Sequence, residues 1–277
     1  MIQKFADLHI HSTFSDGTCS PKEVIKQAHE HKLSAIAITD HDSVDAIESA
    51  LTIAESYDIE LIPAVELSAE EDTSEVHILG YFIDWQNPWF LSELEKQRQC
   101  RIDRVEKMVK KLNEHNIKID VESVYKISGC GSVGRLHIAQ VMLNRGYIVN
   151  IKDAFTKYIG AASPCYVGGF KLSLKDTIAM IHKAGGIAVC AHPGTLSNIH
   201  LLYRLIDYGI DGIEVYHPDH VSTDTKRYLK IAAEHKLLVT GGSDWHGHRK
   251  EGVTIGVIKV PYELVKQLKD RVDSIKK

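Results

Sequence analysis

Short apolar runs alternate with amphipathic stretches along most of the chain. Residues 5–11 (FADLHIH) are an apolar run carrying histidines at i and i+2. In a strand those two side chains share a face, so His9 and His11 aim at one point. Ser20, Pro21 and Glu23 then give an N-cap, a first-turn proline and an acid at N3. Val24, Ile25 and Ala28 supply the buried face of a helix running to about Lys32. Residues 34–39 (SAIAIT) form the continuous apolar run expected of a strand buried on both faces in a parallel sheet. After Asp40-His41-Asp42, Ser43 is expected to cap a helix to about Ser56. A third strand, 59–65, ends in Glu66, and a fourth, 75–82, carries His77.

The rhythm changes near Trp85. Residues 88–116 read as one long charged helix with apolar stations at Leu91, Leu94, Ile102, Val105, Met108, Val109 and Leu112. Shorter helices follow at about 121–127, 134–145 (closed by Gly146) and 152–158 (closed by Gly160). No strand signal of equal strength lies between 87 and 163, so this span reads as a helical insertion, or cap. From Ser163 the α/β alternation returns. Strands at 187–191, 211–216 and 237–240 end in His192-Pro193-Gly194, His217-Pro218 and Ser243-Asp244-Trp245-His246, with helices at about 173–184, 198–208 and 223–235 between them. A last strand near 254–260 and a helix from about Tyr262 close the pattern. Polar residues at successive strand ends, with helices between, are the mark of a β/α barrel whose site gathers on one pole. The expected division is a barrel of 1–86 and 164–277 around a cap of 87–163.

Composition narrows this picture without redirecting it. The 277 residues suit one α/β barrel with an insertion. A formal net charge of -4 argues against a large duplex-DNA surface, while leaving room for a local basic pocket. The five cysteines are scattered and lack CxxC spacing, which implies neither a disulfide framework nor a zinc ribbon. With no signal pattern and no long apolar run, the expected location is cytoplasmic, away from membranes. Oligomeric state is not readable.

The 16 histidines are the unusual total. His29, His31, His115, His182 and His235 fall in helices and loops as background. His9, His11, Asp16, His41, Glu66, His77, His192, Asp244 and His246 instead fall mostly at predicted strand ends. Nine such residues at one pole make a multinuclear metal site. A His/Asp/Glu set without thiolate suits Mn²⁺ first, with Fe²⁺ or Zn²⁺ as alternatives.

The stretches DLHIHSTFSDG, ITDHD, VEL, VHILGY, AHPG and SDWHG, in this order, resemble the motifs of the PHP (polymerase and histidinol phosphatase) superfamily. The resemblance implies a distorted (β/α)7 TIM-like barrel with a trinuclear metal centre. Carried over by position, His9, His11, Glu66 and Asp244 would hold one ion. Glu66 would bridge to a second held by His77 and His192, and Asp16, His41 and His246 would take a third. Asp16 departs from relatives that carry histidine near that position, and Asp40 is either a ligand or an orienter of one. The cap, the segment GRLHIA (134–139) and the strand end IEVYHP (213–218) are similar to stand-alone phosphoesterases. That group resembles nucleoside 3′,5′-bisphosphate phosphatases and 5′-to-3′ exoribonucleases acting on short RNA.

The expected chemistry is hydrolysis of a small phosphorylated substrate, a nucleotide or short RNA, by metal-activated water. His217, Asp244 and His246 are the expected catalytic groups. Arg135, His137, Lys171 and His217 are the candidates to hold phosphate, Arg135 because guanidinium grips it bidentately. Three rivals share some of these features. A histidinol-phosphate or other small-metabolite phosphatase would not need the cap, and a non-catalytic metal-binding module would not need the full ligand set. An amidohydrolase-type enzyme would need a bridging lysine that no strand end offers.

Overall fold

A computed structural model describes residues 3–72, 74–129, 131–168, 172–247 and 253–275. Its strands are β1 (Phe5–Ile10), β2 (Ala35–Ile38), β3 (Glu60–Glu71), β4 (Ser74–Tyr81), β5 (Ile187–Cys190), β6 (Gly212–Tyr216), β7 (Leu238–Gly241) and β8 (Val260–Pro261). They form one sheet in the order β7-β6-β5-β4-β3-β2-β1-β8. β1, β2 and β3 pair in parallel, as do β5, β6 and β7, while β4 is antiparallel to both its neighbours. The segment after β7 folds back onto β1, where the His11 amide donates to the Trp245 carbonyl and the Asp244 amide to that of His9, each at 2.9 Å. A Cβ at Gly242 would sit 2.4 Å from the His9 backbone nitrogen, so only glycine lets the sheet close here. The result is a nearly closed, TIM-like barrel.

Strand composition explains the layering. Ala35 and Ala37 of β2 pack into a cluster with Val265, Leu268 and Val272 of α10 (Tyr262–Ile275). Ile36 and Ile38 point the other way, onto α1 (Pro21–Glu30) and α2 (Ile47–Glu55). α1 begins with the capping box read from the sequence, Ser20 and Glu23 satisfying each other's backbone amides. Ser43 does not cap α2, because the helix starts four residues later; its hydroxyl accepts the Asp45 amide instead.

Two strand expectations change. β3 runs twelve residues rather than seven, because beyond the barrel it zips antiparallel onto β4 from Ala64↔Tyr81 to Glu71↔Ser74. Glu66 therefore lies inside a strand. The last strand is only two residues, antiparallel to β1, and Val257 lies in a turn closed on Thr254.

The insertion has its own core. α3 (Pro88–Glu114) places Phe90 and Leu94 in the barrel-side cluster. Further along, Val105, Met108 and Leu112 join Val124 of α4 (Val121–Ser128) and Ile138 and Met142 of α5 (Arg135–Asn144). α6 (Ile151–Ala154) continues as a π-helical turn, Phe155–Ile159, into the same cluster. α7 (Leu174–Lys183), α8 (His200–Asp207) and α9 (Ser222–His235) then complete the barrel's outer layer. Among the described residues no helix is long and apolar enough to cross a membrane.

Candidate metal and phosphate site

One pole of the barrel gathers all nine residues that the sequence singles out. Among the described residues, four overlapping sets have atoms close enough to share an ion. They are His11, Asp16, His41 and His246; His9, His11 and Asp244; His9, Glu66 and His192; and His41, Glu66 and His77. The sets overlap more than a three-way division would, with Glu66 near the middle. β4 delivers His77 from the opposite strand direction, so its early residues reach the pole where the parallel strands end.

Distances and directions both fit shared cations. Glu66 Oε2 lies 3.4, 3.2 and 3.1 Å from His9 Nε2, His11 Nε2 and His41 Nδ1. Its Oε1 lies 3.1 Å from His77 Nδ1 and 3.0 Å from His192 Nε2. Two ligand atoms held about 2.0–2.2 Å from one ion sit roughly 3.0–3.5 Å apart, in the same range. Glu66 Oε2, His41 Nδ1 and His77 Nδ1 are nonetheless buried without an aligned hydrogen bond.

Tautomers sharpen the point. His9 Nδ1 faces Glu214 Oε1 at 2.9 Å, His77 Nε2 faces Glu75 Oε1 at 3.1 Å, and His246 Nδ1 faces the Asp244 carbonyl at 2.8 Å. His192 Nδ1 reaches Thr195 Oγ1, whose own hydrogen goes to the His192 carbonyl. In each ring the nitrogen facing a protein acceptor carries the proton. The other nitrogen turns a lone pair toward a carboxylate of the cluster. Lone pair against carboxylate calls for a cation between them, and a protein acceptor on the far nitrogen is how ligand imidazoles are oriented.

The charge balance agrees. Burial pushes the Glu66 carboxyl up, but the rings of His41, His77 and His9 hold it well below the usual range. Asp16 and Asp244 are held down in the same way, His246 foremost in both cases. Burial would lower His11 and His77, yet the carboxylates drive them up to about 10 and about 9. A pocket that pulls protons this strongly wants positive charge, which metal ions could supply. Asp42, His192 and Asp244 also carry positive φ values of 48°, 27° and 47°, left-handed backbone at three turns of the site.

Asp40 accepts from the Ser12 amide and from the hydroxyls of Ser12 and Ser15, and Ser15 lies 3.4 Å from His11 Nδ1. It braces the loop after β1 and lies outside the four ion-sharing sets. Asp7 does similar work, accepting the Ser243 and Gly256 amides across the barrel closure; burial drives its carboxyl up to about 6. Glu214, buried inside the barrel, holds both the His9 ring and the His192 amide.

Facing the cluster is a second wall, of three arginines from the insertion and Glu75 of β4. A cavity of about 220 Å³ is lined on one side by the metal-type residues and on the other by Arg101, Arg104, Arg135 and Glu75. Arg101 bonds Asp42 Oδ2 at 2.5 Å and Ser68 Oγ at 2.6 Å. Arg104 donates to Glu75 Oε2 and the Val167 carbonyl. Arg135 also meets Glu75 Oε2, at 3.0 Å, and lies against the rings of Phe155 and Tyr166.

The remaining expected residues divide. His217 is buried beside the cluster, its Nδ1 accepting the Asp219 amide, so that Nε2 carries a proton 3.4 Å from Asp244 Oδ2. His137 is not brought into the cavity; its Nδ1 accepts the Gly134 amide, closing the first turn of its own helix. Lys171 lies outside the described residues. Arg101, Arg104, Glu75 and Glu214 go unmarked in the sequence reading. A signal for the arginines was present: Arg101 and Arg104 sit on the face of α3 shared by Val105 and Met108, where a charge is out of place unless it is paired.

Comparison with known proteins places this geometry. The family model described as PHP domain matches residues 7–159, more than half of the chain. The chain is 32% identical over 247 residues to the 5'-3' exoribonuclease Rnm of Escherichia coli, covering 87% of this chain and 84% of that protein. It is 32% identical over 256 residues to the 3',5'-nucleoside bisphosphate phosphatase of Chromobacterium violaceum, covering 90% of each. Among solved structures, one from Bifidobacterium adolescentis assigned as a metal-dependent phosphoesterase superposes with a TM-score of 0.87 at 32% identity, covering 96% of both chains. Another, from Chromobacterium violaceum, is named an amidohydrolase and holds sulfate with no metal; it superposes at 0.85 with 29% identity over 96% of both. The chain is a member of the PHP domain family and a metal-dependent hydrolase acting on phosphoester bonds.

Proposed function

We propose that this protein hydrolyses phosphate esters of nucleotides, either nucleoside 3′,5′-bisphosphates or short 5′-phosphorylated oligoribonucleotides attacked in the 5′-to-3′ direction. The observation that carries this reading is the pairing of two walls across one cavity, imidazoles and carboxylates on one side and three guanidiniums on the other. The barrel, 1–86 and 164–277, would supply the first wall and the cap, 87–163, most of the second.

His9, His11, Asp16, His41, Glu66, His77, His192, Asp244 and His246 would hold up to three divalent ions. Such ions supply Lewis-acid stabilisation and activate water near neutral pH. Arg135 and Arg104 fix the phosphate, whose oxygens match the guanidinium fork. His217 presents its Nε2 proton beside Asp244, where it can steady that carboxylate or protonate a leaving oxygen. His246 sets the other flank of Asp244.

The substrate class is supported by a second space. A groove of about 1640 Å³ runs outward from Asp244 and Phe155, walled by Ile127, Gln140, Leu143, Asn144 and Asn150. Ordinary small-molecule sites occupy roughly 300–1,000 Å³, so histidinol phosphate would leave most of it unused. Apolar faces with amide groups suit stacked bases and their hydrogen-bonding edges. A smaller metabolite is the second reading, since a relative from Eggerthella lenta, 28% identical over 94% of its length, is a phosphoribosyl 1,2-cyclic phosphate 1,2-diphosphodiesterase.

Phosphate or nucleotide release is the test, from adenosine 3′,5′-bisphosphate, 5′-phosphorylated di- to tetraribonucleotides, a ribose cyclic phosphate and histidinol phosphate, with Mn²⁺, Fe²⁺ and Zn²⁺ compared. Turnover of the nucleotide substrates well ahead of the other two is expected. Preference for either non-nucleotide substrate overturns the substrate assignment, and no turnover of any phosphoester under any metal leaves a binding module.

A further inference from the structure

Glu75 stands where the two walls meet. It precedes His77 by two residues on β4, and its side chain is only 10% exposed. Oε1 lies 3.1 Å from His77 Nε2. Oε2 accepts from Arg104 at 2.7 Å and lies 3.0 Å from Arg135. One carboxylate thus gives an oxygen to each wall.

The two contacts have opposite consequences. On the His77 side, Glu75 engages Nε2 and so turns Nδ1 toward Glu66, the side from which an ion would be held. On the arginine side, it is an anion already seated among the groups that would grip phosphate. Both guanidiniums meet the same carboxylate oxygen.

We infer that Glu75 is a positioning residue that couples the two walls, strengthening metal binding through His77 while weakening the arginines' hold on phosphate. Functionally, Glu75 gives the arginines a counter-charge to exchange when phosphate arrives and leaves. The inference rests on the phosphoesterase reading of the site.

Two binding measurements on metal-free protein test it without turnover: calorimetric titration with Mn²⁺, and titration with inorganic phosphate. Glu75→Gln should weaken Mn²⁺ by roughly tenfold or more, the usual consequence of losing an outer partner of a ligand histidine. The same variant should tighten phosphate by roughly fivefold, since a negative charge beside the anion is gone. Glu75→Asp keeps the charge but is too short for both contacts, so it should weaken Mn²⁺ and leave phosphate unimproved. A residue that only stabilised the fold would weaken both ligands in both variants. That result, or a Glu75→Gln protein unchanged in either titration, overturns the coupling. If Glu75→Gln does not fold, Glu75→Asp with unaltered Mn²⁺ affinity does the same. Wild-type protein that takes up neither ligand overturns the reading of the site itself, and this inference with it.

Discussion

The two walls of the cavity solve opposite electrostatic problems. The barrel wall buries Asp16 and Glu66, leaves Asp244 half-buried, and answers them with imidazoles turned inward, leaving a demand for cations. The cap wall buries Arg101 and Arg104, leaves Arg135 half-buried, and answers them with Asp42 and Glu75, a set of guanidiniums that an anion could join. They also differ in how they are held. The barrel wall stands on strands and on short loops with left-handed residues, so its atoms have little freedom. The cap wall reaches in on long side chains pinned at their tips. On the proposed function, a phosphate between them would meet fixed charge on one side and exchangeable partners on the other.

The comparison breaks hardest at Asp244, which lies in one ion-sharing set and touches His217. Asp244→Ala should cut phosphoester hydrolysis by about a thousandfold, the several kcal/mol that metal assistance contributes. Wild-type protein should gain several degrees in melting temperature when Mn²⁺ is added at about a hundred times its Kd, and the variant should gain less. Full activity in Asp244→Ala would remove the residue from the site.

Next in size is Arg101→Ala. It leaves Asp42, itself buried, without its guanidinium, and losing one partner of a buried pair costs about 3–5 kcal/mol. Chemical denaturation should show that loss. A stability change under about 1 kcal/mol would mean that Arg101 is held for the substrate rather than for the joint between cap and barrel.

Arg135→Ala should do the reverse, sparing stability and raising KM for a phosphorylated substrate roughly ten- to a hundredfold, the worth of a charge-assisted hydrogen bond. Mn²⁺ affinity should barely move. Unchanged kinetics would take Arg135 out of the phosphate grip.

The same contrast explains what could be read from the chain. The barrel wall is local in sequence, His9 and His11 on one strand face and Asp40-His41, His192 and Asp244 just past apolar runs, so each piece announces itself. Strand direction does not. An apolar run looks alike whichever way it pairs, which is why Glu66 reads as a strand end although β3 continues against an antiparallel β4. The cap wall depends on where α3 passes from one core to the other, a tertiary event that places Arg101 and Arg104 beside Asp42 and Glu75. Helical periodicity marks those arginines only as charges on an apolar stripe. His137 shows the converse error, a histidine beside Arg135 in sequence whose ring is used by its own helix.

The smallest effect should come from the groove, which belongs to neither wall. Gln140 lies on α5, partly exposed, its amide bonded to Asn144 Oδ1, and it lines the groove but not the cavity of the ligand cluster and the arginines. Gln140→Trp narrows the space where bases would stack while leaving the cavity intact. Stacking contributes about 1–3 kcal/mol per base, so kcat/KM for a 5′-phosphorylated triribonucleotide should fall roughly fivefold or more. A small aryl phosphate, which needs only the two walls, should be turned over as before. An equal fall for both substrates would mean that the substitution disturbs the walls. No fall for either would mean that the chain leaves the site by another route, and that the groove has no part in choosing an oligonucleotide over a single nucleotide.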